Sequence, residues 1–191
     1  MRLGKEEVAV QQLDTAIRLL FGGGDVVSVH TLACAAAEVF RGMLKAEGGE
    51  SWRDAIIAAY PGMEKEVHNT LARAQNFFKH ADRDPDDKLD FDETTNDETI
   101  IVATLEYGEL LRLGAPSGRR KITVPMSVFQ LLYFAKDPTV LLASPDNRGA
   151  EIIGKANHLF PGLGEMSRVE QLARGAEMLG RCEAGFSEAP G

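Results

Sequence analysis

Apolar residues recur at helical spacing along almost the whole chain. From about Lys5 to Phe21 they are Val8, Leu13, Ile17, Leu20 and Phe21, with Glu6, Glu7, Asp14 and Arg18 between them. Gly22-Gly23-Gly24 must end that helix, because consecutive glycines lose too much backbone entropy to remain helical. Asp25 can cap a second helix carrying Val26, Val29, Leu32, Ala33, Ala36, Val39, Phe40 and Leu44, closed by Gly48-Gly49. Two long helices joined by a short glycine turn predict an antiparallel hairpin. Alanines at 33, 35, 36 and 37 would let a neighbouring helix approach closely.

Ser51 with Asp54 resembles a capping box for a short helix through Trp52, Ile56, Ile57 and Tyr60, broken at Pro61-Gly62. The next helix runs from about Met63 to Ala81 with Val67, Leu71, Ala74, Phe77 and Phe78 as its apolar members. Residues 82–96 read as a loop pinned by Leu89 and Phe91, and Asp97 starts a helix with Ile100, Ile101, Leu105, Leu110 and Leu111 facing a core. After a turn at 114–118, Thr123 and Pro125 open a helix that is apolar nearly all round. A short piece lies between Asp137-Pro138 and Ser144-Pro145, a helix covers Glu151 to Phe160, and Ser167 with Glu170 caps a last helix to about Arg181, beyond which the tail is expected to fray. No β alternation persists and no repeat has a fixed period. The expectation is an all-α bundle of eight or nine helices: residues 1–113 as the bundle core, and 114–191 as further helices on that core or on a dimer partner.

Composition narrows the function classes. The apolar fraction of 44% and charged fraction of 26% belong to a globular chain. Of the net charge of −8, nine acids against Arg83 and Lys88 between Asp82 and Glu98 account for most, so the acidity belongs to one loop. A basic nucleic-acid face is lacking; Arg112, Arg119, Arg120 and Lys121 make only a small cluster, expected to be a solvated turn. Two cysteines, Cys34 and Cys182, do not suggest a disulfide framework or zinc site, and Cys34 reads as a small buried side chain. The first twelve residues do not read as a secretory signal and no apolar run approaches the ~20 residues of a membrane span. The expected compartment is cytoplasmic.

The densest chemistry runs from Arg73 to Glu93. At 3.6 residues per turn Arg73 and His80 are nearly eclipsed, with Asn76 three residues after the arginine. A guanidinium fork and an imidazole on one stripe suit a phosphate or a phosphodiester under general acid–base attack. The local alternative pairs Arg73 with Glu66 or Asp84 and lets His80 cap the helix end. An early hairpin rich in small residues, followed by Arg73 and His80 with six residues between, is similar to HEPN domains. That resemblance implies a helical, commonly dimeric fold and metal-independent RNase activity or an inactive relative of it. The polar residue usual directly after the arginine is Ala74 here. The string NFFKHADRDP at 76–85 also resembles one in uncharacterised bacterial proteins and brings no activity with it.

The loop supports a second reading. Asp82, Asp84, Asp86, Asp90 and Glu93 fall at positions one, three, five, nine and twelve of a calcium-binding EF-hand loop, with Leu89 at eight. Asp87 stands where that loop wants glycine, Pro85 stiffens it, and Thr94, Thr95 and Asn96 start a helix poorly. No cofactor other than calcium is suggested. His30, Cys34 and Glu38 share a helix face, as do Glu64 and His68; both sets read as structural, being short of the three or four ligands of a metal site. The expected partners are a second copy of the chain, and RNA or a basic protein. A third reading is a non-enzymatic interaction or dimerisation module.

Overall fold

A computed structural model describes residues 1–80, 85–114, 120–142 and 148–187. Helices α1 (Lys5–Phe21), α2 (Val26–Ala46), α3 (Trp52–Ala58), α4 (Glu64–Lys79), α5 (Thr95–Leu113), α6 (Val124–Lys136), α7 (Thr139–Leu142), α8 (Arg148–Leu159) and α9 (Arg168–Ser187) follow in order. A 3-10 turn at Leu163–Glu165 precedes α9. No strand occurs among the described residues, and the all-α class is the one the periodicity predicts.

By contact density the chain forms two units: residues 1–16 with 25–121, and residues 17–24 with 122–191. In the first, the most extensive helix pairing is α2 with α5. The buried stripe of α2 is Val29, Ala33, Ala36, Phe40 and Leu44; that of α5 includes Ile100, Ala103, Tyr107 and Leu110. Fully buried alanines permit close backbone approach, while Phe40 and Tyr107 meet with ring centroids 5.0 Å apart. Each large apolar side chain removed from water on this seam contributes about 1.5–3 kcal/mol. Among the described residues α2 is also the one helix long and apolar enough to cross a membrane, which the sequence reading did not anticipate; here its apolar stripe is packed on neighbouring helices.

In the second unit α6 packs on α8 and α9. Its Met126, Val128, Phe129, Leu132 and Phe134 are buried, as its nearly continuous apolar surface requires. Phe21 lies 6.2 Å from Phe129, centroid to centroid, and Gly175 of α9 passes so close to Phe21 that a Cβ there would stand 2.5 Å from the ring.

Local signals fixed most helix ends. Asp25 accepts from the Ser28 amide, Ser51 from the Asp54 amide and Thr123 from the Met126 amide. Ser167 and Glu170 bond reciprocally at the start of α9. Several ends differ from expectation: α8 begins at Arg148 rather than Glu151, and α4 stops at Lys79 rather than Ala81, leaving His80 as its C-cap. α5 begins at Thr95 rather than Asp97, because Asp92 accepts the Thr94 amide and buried Asn96 is held by tertiary hydrogen bonds. α9 continues through Glu183, which pairs with Arg18 at 2.5 Å, to Ser187 instead of fraying after Arg181.

Candidate functional site

Helix α4 buries Ala72 and Gln75 and leaves Arg73, Asn76 and Phe77 exposed. His80 is also exposed; it is the residue on which the helix ends, its backbone amide still donating to the Asn76 carbonyl at 3.1 Å. Arg73 makes no hydrogen bond or ion pair among the described residues, so the expected pairing with Glu66 does not form, and Asp84 lies outside them. Seven steps of ~1.5 Å place Arg73 and His80 ~10 Å apart along the axis. Two shallow surface depressions in this unit, one lined by Glu6, Tyr107 and Arg120 and one by Ser51 and Asp54, are not lined by the stripe.

Of the proposed calcium ligands, Asp82 and Asp84 lie outside the described residues, while Asp86, Asp90 and Glu93 are exposed. The early start of α5 removes the objection that its first residues start a helix poorly. No three His, Cys, Asp or Glu side chains converge as a metal site among the described residues. Glu38 is committed elsewhere, to Arg41 and Arg53, both at 2.9 Å. Glu64 and His68 are exposed, Glu64 accepting from the Gly62 amide.

Of the basic cluster expected to be a solvated turn, Arg112 and Lys121 are exposed, but Arg120 is not. The Arg120 side chain is buried: its guanidinium bonds both oxygens of Glu47 at 2.5 and 2.7 Å, Glu6 at 3.2 Å and the Leu110 carbonyl at 3.1 Å. That contact holds the Glu47 carboxyl below its usual range. Arg112 pairs with Glu109, and Arg119 lies outside the described residues.

A buried polar cluster joins the start of α3 to α5. Glu106 is fully buried, one oxygen accepting from Ser51 Oγ at 2.8 Å and the Arg53 amide at 3.2 Å, while Oε2 has no partner. Burial pushes its carboxyl upward, against the lowering effect of those two donors.

Next to the α4 terminus lies an arrangement that the sequence only half disclosed. His30 Nδ1 is 3.1 Å from Asn96 Oδ1, and His30 Nε2 is 3.3 Å from Cys34 Sγ. Asn96 donates its Nδ2 to the Val26 carbonyl at 3.1 Å. A carbonyl can only accept, so the amide orientation is fixed and Oδ1 faces the ring. Nδ1 must therefore carry the proton, and bare Nε2 receives the Cys34 S–H. All three side chains are buried, and edge-on rings of Phe78 and Phe91 close over His30 at centroid distances of 5.6 and 5.2 Å. Burial lowers the His30 pKa, partly opposed by Asn96, and raises the Cys34 thiol to about 11. The i, i+4 spacing placed His30 and Cys34 on one face; nothing local in the sequence marked Asn96, 66 residues away, as their partner.

No protein-family model, no curated protein and no solved structure matches the chain.

Proposed function

We propose that this is a cytoplasmic, HEPN-like helical protein that works as a homodimer and cleaves or binds RNA through Arg73, Asn76 and His80. The observation that supports the reading is the side of α4 left to solvent: it carries Arg73 and Asn76, with exposed His80 at the cap just beyond, while Ala72 and Gln75 take up the buried side. A guanidinium with no partner among the described residues suits a phosphate, with five donors in a fixed fork. A phosphodiester seated over Asn76 lies within side-chain reach of both ends of the ~10 Å stripe. His80 takes a proton from the attacking ribose hydroxyl or gives one to the leaving oxygen, Arg73 stabilises charge on the phosphoryl oxygens, and Asn76 orients the group. None of these roles requires a metal.

A second copy of the chain is the partner assigned to the exposed apolar side chains of α3, α4 and the turn between them. Trp52, Tyr60, Met63, Leu71 and Phe77 all remain accessible, and α3 buries none of its residues. Light scattering of the purified chain gives twice the monomer mass in this reading, and a monomer at every concentration removes the dimer.

The activity test uses single-stranded RNA in the presence of EDTA. The parent cleaves, and Arg73→Ala and His80→Ala each lose about 100-fold or more, the usual weight of a general acid–base or charge-stabilising group. Variants that match the parent, or cleavage abolished by EDTA, overturn the assignment.

A further inference from the structure

We infer that Cys34 is a latent nucleophilic thiol and a modification site for small, uncharged α,β-unsaturated carbonyl compounds, with His30 as its general base and Asn96 as the positioning residue of that base. The inference is independent of the α4 stripe. Its basis is the relay of two hydrogen bonds, 3.3 Å from sulfur to imidazole and 3.1 Å from imidazole to amide. A nucleophile in reach of a base that is itself oriented by a third group is the geometry that activates a thiol.

The surroundings select the electrophile. Cys34, His30 and Asn96 are all buried, so a charged reagent would have to shed its hydration to reach the sulfur. The imidazole is covered by Phe78 and Phe91, whose ring centroids are 5.5 Å apart and which both remain partly exposed. A small neutral molecule passes such a cover through side-chain and local backbone fluctuation. Addition also suits a buried thiol better than substitution, since it expels no anion. The S–C bond forms at the β-carbon as the C=C π pair moves toward the carbonyl. The thiol proton passes to His30 Nε2 and then to the α-carbon, leaving a neutral thioether and a neutral imidazole.

Around the thiol, Lys79 on α4 and Arg53 on α3 favour the thiolate, Glu38 on its own helix opposes it, and burial outweighs all three. A free thiolate is therefore scarce at neutral pH, and reaction runs through the hydrogen-bonded S–H and imidazole pair. That pair exists between the His30 and Cys34 titrations, so the rate there does not depend on hydroxide.

The test is acrylamide alkylation of the whole chain, read at each cysteine by peptide mass spectrometry, with half-buried Cys182 as internal reference. Cys34 alkylation is expected to be first order in acrylamide and nearly flat from about pH 7 to 9, whereas an unassisted thiol accelerates about tenfold per pH unit below its pKa. Iodoacetate, being charged, labels Cys34 at least about tenfold less than acrylamide does, relative to Cys182. His30→Gln and Asn96→Ala each convert the flat profile into a sloped one. Should a variant fail to fold, the parent profile decides alone. A parent rate that climbs about tenfold per pH unit, or a Cys34 that stays unmodified while Cys182 is fully alkylated, overturns the inference.

Discussion

Asn96 holds two helices with one side chain, accepting from His30 and donating to the Val26 carbonyl. Asn96→Ala strands buried His30 at about 1–3 kcal/mol and takes one bond from the part-buried Val26 carbonyl, so a loss of about 1–3 kcal/mol in chemical denaturation is expected. Two buried groups make stability depend on pH in opposite senses. The folded His30 pKa lies below the unfolded value, so the unfolded chain takes the proton first; the stability tied to this residue is present above about pH 6.5 and is lost as pH falls. The folded Glu106 pKa lies above its unfolded value. Its contribution is full below about pH 4.3 and declines as pH rises through the folded value. Glu106→Gln cannot ionise but keeps an oxygen for Ser51 and the Arg53 amide. Denaturation midpoints from about pH 4 to 8 should therefore lose the Glu106 decline in the variant while retaining the His30 effect, and an unchanged pH profile would reject this assignment.

Helix starts were legible because the signal and its effect lie within four residues of each other. Ser167 and Glu170 announce α9 and then form both bonds of the motif. Where an end depends on distant groups, local reading stops short: Thr95 starts α5 because Asn96 reaches α2, and α9 outruns Arg181 because Glu183 meets Arg18. The same division applies to glycines. Gly23, at φ +65°, is legible as a turn residue, whereas Gly175 looks like a weak point in a helix until its distance to Phe21 is known. Gly175→Ala forces a Cβ against that ring and should cost about 1–3 kcal/mol, the range for overpacking. Combining it with Phe21→Leu should cost less than the two single changes together, since each relieves the other. Additive losses would mean that the close approach is not what requires the glycine.

At the scale of the whole chain, helical class and amphipathic faces are written in periodicity, but the choice of partner helix is not. The periodicity of α2 would serve equally for a seam with α1, yet its most extensive pairing is with α5. The site has the same limit: spacing puts Arg73, Asn76 and His80 on one stripe, while the His30–Cys34–Asn96 relay exists only because α2 and α5 meet. Arg120 shows how far a residue can depart from its local surroundings. In a run of basic residues it reads as solvated, but it is buried against Glu6, Glu47 and the Leu110 carbonyl, tying α1, the end of α2 and the end of α5. Truncation would leave two carboxylates near one another and a carbonyl unpaired. Because both glutamates are partly exposed, water relieves some of that penalty, and Arg120→Ala should cost about 2–3 kcal/mol rather than the 3–5 of a fully buried pair. Arg120→Lys keeps the charge but has no fork to hold both Glu47 oxygens while reaching Glu6, so it should recover less than half of the loss. The Glu47 pKa is lowered by this contact, so its part of the stability is present above about pH 4.3 and disappears as pH falls through the folded value. The deficit of Arg120→Ala relative to the parent should thus shrink in acid, and a deficit constant from about pH 3 to 7 would show that packing of the arginine stem, not its charge, holds the three helices.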